Sequence, residues 1–119
     1  MAKVDSFSFG SIVLDGKKYN RDVFLYPDGN IKKRKGGFWK FGSHAIKKEE
    51  MEELIKSGPD VLIVGTGTDS KAELTSDAKS YLQESKVESV ITSSGEAVEK
   101  YNQLVAEGRR PAALIHITC

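Results

Sequence analysis

Cysteine is nearly missing from this sequence: the one thiol, Cys119, cannot form a disulfide within the chain. A reducing compartment is therefore expected, with the cytoplasm as the default. Long apolar runs are missing too. Nowhere do about 18 consecutive apolar residues occur, so no membrane-spanning helix is available. The opening residues Met1-Ala2-Lys3-Val4-Asp5 lack the apolar stretch of a signal peptide. Charge of one sign is not in excess: 18 basic residues face 17 acidic ones, for a formal net charge of +1. The whole molecule is thus not drawn to nucleic acid or to an anionic membrane, and any such attraction must come from a local patch. Histidine is scarce, with only His44 and His116. Two histidines and one cysteine are too few and too poorly spaced for a metal site, so neither metal nor cofactor is expected. What is present suits one folded domain over residues 1–119, with 39% hydrophobic and 29% charged residues.

The first forty residues read as β structure. Phe7 and Phe9 alternate with Ser6 and Ser8, as in a half-buried strand. Ile12-Val13-Leu14 runs into Asp15-Gly16, a strong hairpin signal, and Val23-Phe24-Leu25-Tyr26 runs into the turn Pro27-Asp28-Gly29. A short returning strand is expected around Ile31. Past Gly42 the period changes. Met51, Leu54 and Ile55 recur at helical spacing among charged residues until Gly58-Pro59 stops the helix. Val61-Leu62-Ile63-Val64 has no polar face and suits a strand buried on both sides.

The alternation then repeats. Thr75 or Ser76 caps a second helix, and Val87 to Ile91 forms the next strand. Ser93 and Glu96 have capping-box spacing ahead of the stripe Ala97, Val98, Tyr101, Leu104 and Val105. Gly108 ends that helix, and Ala112 to Ile117 forms the last strand. Strand–helix–strand–helix–strand order implies right-handed crossovers and a largely parallel sheet covered by helices. The N-terminal hairpins either extend that sheet or pack on it as an added layer.

Three groups of residues invite a chemical reading. Gly65-Thr66-Gly67 leaves the buried strand, where ligands collect in open α/β sheets, and its backbone could approach a small anion. It matches neither a dinucleotide fingerprint nor a P-loop, and a tight strand exit explains it as well. His44, His116 and Cys119 are the candidates for acid–base and nucleophilic work. Strand alternation puts His116 and Thr118 on one side and Ile115, Ile117 and Cys119 on the other, which favours Cys119 as a small core residue. Lys32, Lys33, Arg34 and Lys35, followed by Phe38-Trp39-Lys40, form the one basic concentration. It could hold phosphates, but adjacent charges on a strand point to both faces, so a solvated hairpin is the simpler reading. Glu49, Glu50, Glu52 and Glu53 read as the exposed, dipole-complementing face of the first helix and are assigned no chemistry.

The stretch Ala97 to Gly108, with its Ala-Val-x-x-Tyr-Asn-x-Leu pattern, and the ending Ile115-His116-Ile117-Thr118-Cys119 resemble the Mth-domain family. The resemblance extends upstream through Tyr26 to Gly29, Ser43-His44 and the strand ending at Gly65-Thr66-Gly67, in matching order over nearly the whole chain. Members of that family act in adipogenesis and in the assembly of mitochondrial complex I. The Lys32–Lys40 region is more basic than in the metazoan members, and a mitochondrial targeting extension is absent, so a prokaryotic member is expected and the complex I role is not transferred. The resemblance implies an α/β domain with a mixed central sheet, a C-terminal βαβαβ unit and N-terminal β-hairpins. It also implies that Gly65, Gly67, His44, His116, Thr118 and Cys119 share a pocket.

The expected function is a protein-binding or assembly module, because no complete catalytic constellation is legible. The alternative is an enzyme or small-anion binder with Gly65, Thr66, Gly67 and Thr118 around the ligand and His44, His116 or Cys119 doing chemistry. RNA binding through Lys32 to Lys40 ranks last, and no membrane association is expected.

Overall fold

In a computed structural model, which describes residues 2–34 and 45–118, the chain begins with an antiparallel meander. Its strands are β1 (Val4–Ser8), β2 (Ser11–Leu14) and β3 (Lys17–Tyr19). Asp15 and Gly16 both take positive φ, 51° and 81°, which is the conformation that a two-residue hairpin turn matched to strand twist requires. Asp5 and Asp15 brace the turn by accepting from the amides of Gly16 (2.7 Å) and Lys3 (3.0 Å).

The next hairpin, β4 (Val23–Leu25) and β5 (Ile31–Lys33), leaves the meander and joins a different sheet. After the two-residue β6 (Ala45–Ile46) come α1 (Lys48–Lys56), β7 (Val61–Gly65) and β8 (Glu73–Leu74), which pairs with β6 in parallel. The chain ends through α2 (Ser76–Glu84), β9 (Glu88–Thr92), α3 (Ser94–Ala106) and β10 (Pro111–Ile115). The central sheet has the order β5-β4-β10-β7-β9. Pairing is parallel among β10, β7 and β9 and antiparallel from β10 to β4 and from β4 to β5. The sheet is therefore mixed. Of the N-terminal hairpins, one extends it and the meander covers it.

Side-chain parity divides the core into two layers. Val23, Leu25, Val61, Ile63, Ala113 and Ile115 pack against α3 and the meander. Phe24, Leu62, Val64, Ala112 and Leu114 pack against α1 and α2. The strands β7 and β10 are buried on both faces, as their unbroken apolar runs require. Asn102 on α3 ties the meander down by accepting from Val4 N (3.0 Å) and donating to Val4 O (2.7 Å), as a neighbouring strand would.

Two expectations need correction. The last strand stops at Ile115, because the amide of Ile117 turns to a side chain, the Asp22 carboxylate, at 2.9 Å. The acidic face of α1 is not merely solvated: Glu50 and Glu53 reach across to cations of the β4–β5 hairpin. The first helix docks there by charge as well as through Met51 and Leu54.

Candidate functional site

Sheet register assembles the site. Ile115 lies opposite Val23 on one side and Gly65 on the other, and Val23 lies opposite Lys33. One residue further toward the same end, Arg34, Asp22, His116 and Thr66 stand in a row across four strands. Backbone bonds continue the row, from Arg34 N to Asp22 O (2.8 Å) and from His116 N to Gly65 O (3.0 Å). Arg34, Asp22 and His116 have the parity of the α1-facing layer, so Glu50 on α1 can close the set.

The Asp22 carboxylate is the hub. Its Oδ2 accepts from His116 Nδ1 at 2.7 Å and from an Arg34 guanidinium nitrogen at 2.8 Å, while Oδ1 accepts from Ile117 N at 2.9 Å. Arg34 also grips Glu50 with two nitrogens, at 2.6 and 2.9 Å, and donates to Ala45 O at 2.8 Å. The Arg34 and His116 side chains are each only 7% exposed. Burial alone would raise the pKa of Asp22. It is outweighed by the hydrogen bond and charge of His116, the Ile117 amide and Arg34, so the carboxyl lies below its ordinary value. Burial opposes the charge on Arg34 likewise, and Glu50 and Asp22 more than restore it.

Because the ionised carboxylate can only accept, Nδ1 of His116 carries a proton. In the neutral imidazole Nε2 is then an acceptor, and it lies 3.2 Å from Thr118 Oγ1. His116 and Thr118 thus stand on one side of the chain.

The exit of β7 is stitched to the same place. Ser94, wholly buried in the first turn of α3, donates to His116 O (2.5 Å) and accepts from Gly67 N (2.8 Å). Thr66 N donates to Thr92 O (2.9 Å) and Thr68 N to Thr118 O (2.8 Å). The structure therefore brings Gly65, Thr66, Gly67, His116 and Thr118 together. The amides of Thr66, Gly67 and Thr68 are committed inside the fold, however, so an anion there must displace existing bonds.

The basic run is broken up. Arg34 is buried in the network, Lys32 Nζ pairs with Glu53 at 2.9 Å, and Lys33 is exposed. Tyr26 also donates its hydroxyl to Glu53, and burial followed by that carboxylate drives its pKa upward. Lys35, His44 and Cys119 lie outside the described residues. Among the described residues no three His, Cys, Asp or Glu side chains converge as metal ligands, and no helix is long and apolar enough to cross a membrane.

The sequence gives no motif that marks Asp22 or Ser94, and on the helix alone Glu50 reads only as a solvated acid. The one local signal for Asp22 is its position: an acid set flush against the wholly buried strand Val23-Phe24-Leu25 must find partners at the strand end. Ser94 offered none, since Ser93 beside it has the better capping spacing.

A family model described as "Protein of unknown function (DUF498/DUF598)" matches residues 4–116. The solved structure named MT938 is 29% identical, covers all of both chains and superposes with a TM-score of 0.81. The conserved hypothetical protein PH1505 of Pyrococcus horikoshii OT3 is 31% identical over 98% of this chain and 99% of its own, with a TM-score of 0.83. A Bordetella pertussis protein described as a Mth938-like domain shares the fold at 17% identity, covering 98% of this chain and 85% of its own, with a TM-score of 0.67. With the mixed sheet and the His116–Thr118 ending in place, this chain belongs to the DUF498/DUF598 family of Mth938-like domains.

Proposed function

We propose that this domain binds a partner protein through the rim at the carboxyl end of its parallel strands. The observation that carries this reading is the placement of the two large apolar side chains left exposed among the described residues, Phe9 at 62% and Ile91 at 48%. Both lie at that rim. Phe9 sits in the turn between β1 and β2, where Gly10 N donates to Ile117 O at 2.7 Å and fixes the turn beside the site. Ile91 precedes the last residue of the edge strand β9. A rim held by backbone bonds and a buried ion network offers preformed apolar anchors, which lowers the ordering cost of association. RNA fits less well, because Arg34 is engaged with Asp22 and Glu50 and Lys32 with Glu53. The reading sets this work in the cytoplasm, where a chain with one thiol needs no disulfide.

Removing one anchor has a calculable effect. Burying a Phe side chain is worth about 1.5–3 kcal/mol, so Phe9→Ser should weaken partner binding about 10- to 100-fold. The check is recovery of partners from native extract by immobilised wild-type and Phe9→Ser proteins, followed by titration of whatever is recovered. A partner held by wild type and lost by the variant supports the rim. A partner held equally by both, or no reproducible partner at all, removes it.

A further inference from the structure

The row at the rim also contains the parts of an activated hydroxyl. Asp22 Oδ2 holds His116 Nδ1 at 2.7 Å, and His116 Nε2 lies 3.2 Å from Thr118 Oγ1. This is the order carboxylate, imidazole, hydroxyl, in which the acid orients the ring and the ring takes the proton. Other hydroxyls nearby are already used: Ser94 Oγ is buried between Gly67 N and His116 O, and Thr66 Oγ1 donates to Thr92 O at 2.9 Å. Thr118 is half-buried, with its Oγ1 within 3.2 Å of the base.

We propose that Thr118 is an acyl acceptor, with His116 as its general base and Asp22 as the residue that positions the ring. In the step, Thr118 Oγ1 bonds to the carbonyl carbon of an activated ester or thioester while its proton passes to His116 Nε2. The bond from that carbon to the leaving oxygen or sulfur breaks, and the leaving group departs with the proton from Nε2. Hydrolysis of the threonine ester by water then returns Thr118 and releases the acid. No redox change is involved.

The donor class follows from what surrounds Thr118. The amides of Thr66, Gly67 and Thr68 are spent internally, so they form no ready oxyanion hole. Among the described residues, a side-chain donor beside Thr118 is Thr68 Oγ1, whose 3.4 Å bond to Thr118 O is long enough to give up. With those three amides spent among the described residues, the acyl groups expected to react are those with good leaving groups.

The test uses p-nitrophenyl acetate on the full chain carrying Cys119→Ala, so that the neighbouring thiol cannot take the acyl group. Peptide mass spectrometry should find one acetyl group on Thr118. Thr118→Ser should retain the label and Thr118→Val should lose it. His116→Gln should slow labelling by at least about 100-fold, the lower end of what a general base contributes. Absence of acetyl from Thr118 in the parent protein overturns the proposal. So does labelling of Thr118 at the parent rate in folded His116→Gln protein. The two Thr118 variants change a half-buried rim residue, so they separate loss of the acceptor from loss of the fold.

Discussion

Replacing Arg34 by Met should cost about 3–5 kcal/mol of folding stability, because it strands buried acidic partners. The guanidinium is 7% exposed and spans Asp22 and Glu50, whose side chains are 15% and 19% exposed. It also caps Ala45 O. A loss of that size is a large share of the ~5–15 kcal/mol that holds a typical domain together. Arg34→Lys should recover little, since one ammonium cannot replace a planar fork that bonds two carboxylates and a carbonyl at once. Urea unfolding followed by circular dichroism measures both variants. A midpoint for Arg34→Met close to wild type would mean that the network contributes specificity without net stability.

The same network sets the direction of the acid response. The folded pKa of Asp22 lies below its unfolded value, so the unfolded chain binds the proton first. Its contribution is therefore complete above about pH 4, the ordinary carboxylate value, and is lost as pH falls through the lower folded pKa. Arg34 is shifted upward from an already high value, so its share persists through neutral pH. Asp22→Asn should accordingly be less stable than wild type at neutral pH and show a flatter loss of stability below about pH 4.

Much of the fold was legible because it rests on local chemistry. Asp15-Gly16 announces its hairpin through two positive φ angles that few other pairs tolerate. Thr75 and Ser93 accept from Ala78 N and Glu96 N, as their cap spacing implied. The strands β7 and β10 are apolar on every residue because both faces are covered. Of the site, the glycine loop stands out by its place at a strand end, His116 as one of two histidines, and Thr118 through the family resemblance.

What was not legible depends on register between strands far apart in sequence. Asp22 and His116 are 94 residues apart, and only the antiparallel pairing of β4 with β10 sets them side by side. Arg34 looked like one more charge in a basic run. Its separation from Lys33 is decided by which strand face meets α1, a fact that no window of neighbouring residues contains. Glu50 has the same history: on the helix alone it is a dipole-complementing acid, and docking turns it into the partner of Arg34. The two-residue strands β6 and β8 were invisible for another reason, since their pairing is purely tertiary and too short for any period.

Gly65→Ala should destabilise the fold by about 1–3 kcal/mol through overpacking alone, although alanine is the smallest change available. A Cβ at Gly65 would lie 2.8 Å from Ser94 Oγ, 3.0 Å from Ser94 Cα and 3.1 Å from Ala97 Cβ. The hydroxyl cannot swing aside cheaply, because it donates to His116 O and accepts from Gly67 N. Breaking both bonds in a buried site leaves a carbonyl and an amide unpaired, at about 1–3 kcal/mol each. The alternative is to push the first turn of α3 off the sheet, which loosens the packing of Ala97 against the core. Either way the damage falls on the junction that positions His116 and Thr118, so acylation of Thr118 should fall along with stability. A Ser94→Gly partner variant separates the causes. It removes the hydroxyl oxygen but leaves the backbone of α3 where it was, so the double variant should lose less than the sum of the singles without returning to wild type. Strict additivity would mean that the strain comes from Ser94 Cα and Ala97 Cβ and not from the hydroxyl. Wild-type stability for Gly65→Ala would mean that the close approach of α3 to β7 is looser than these distances require.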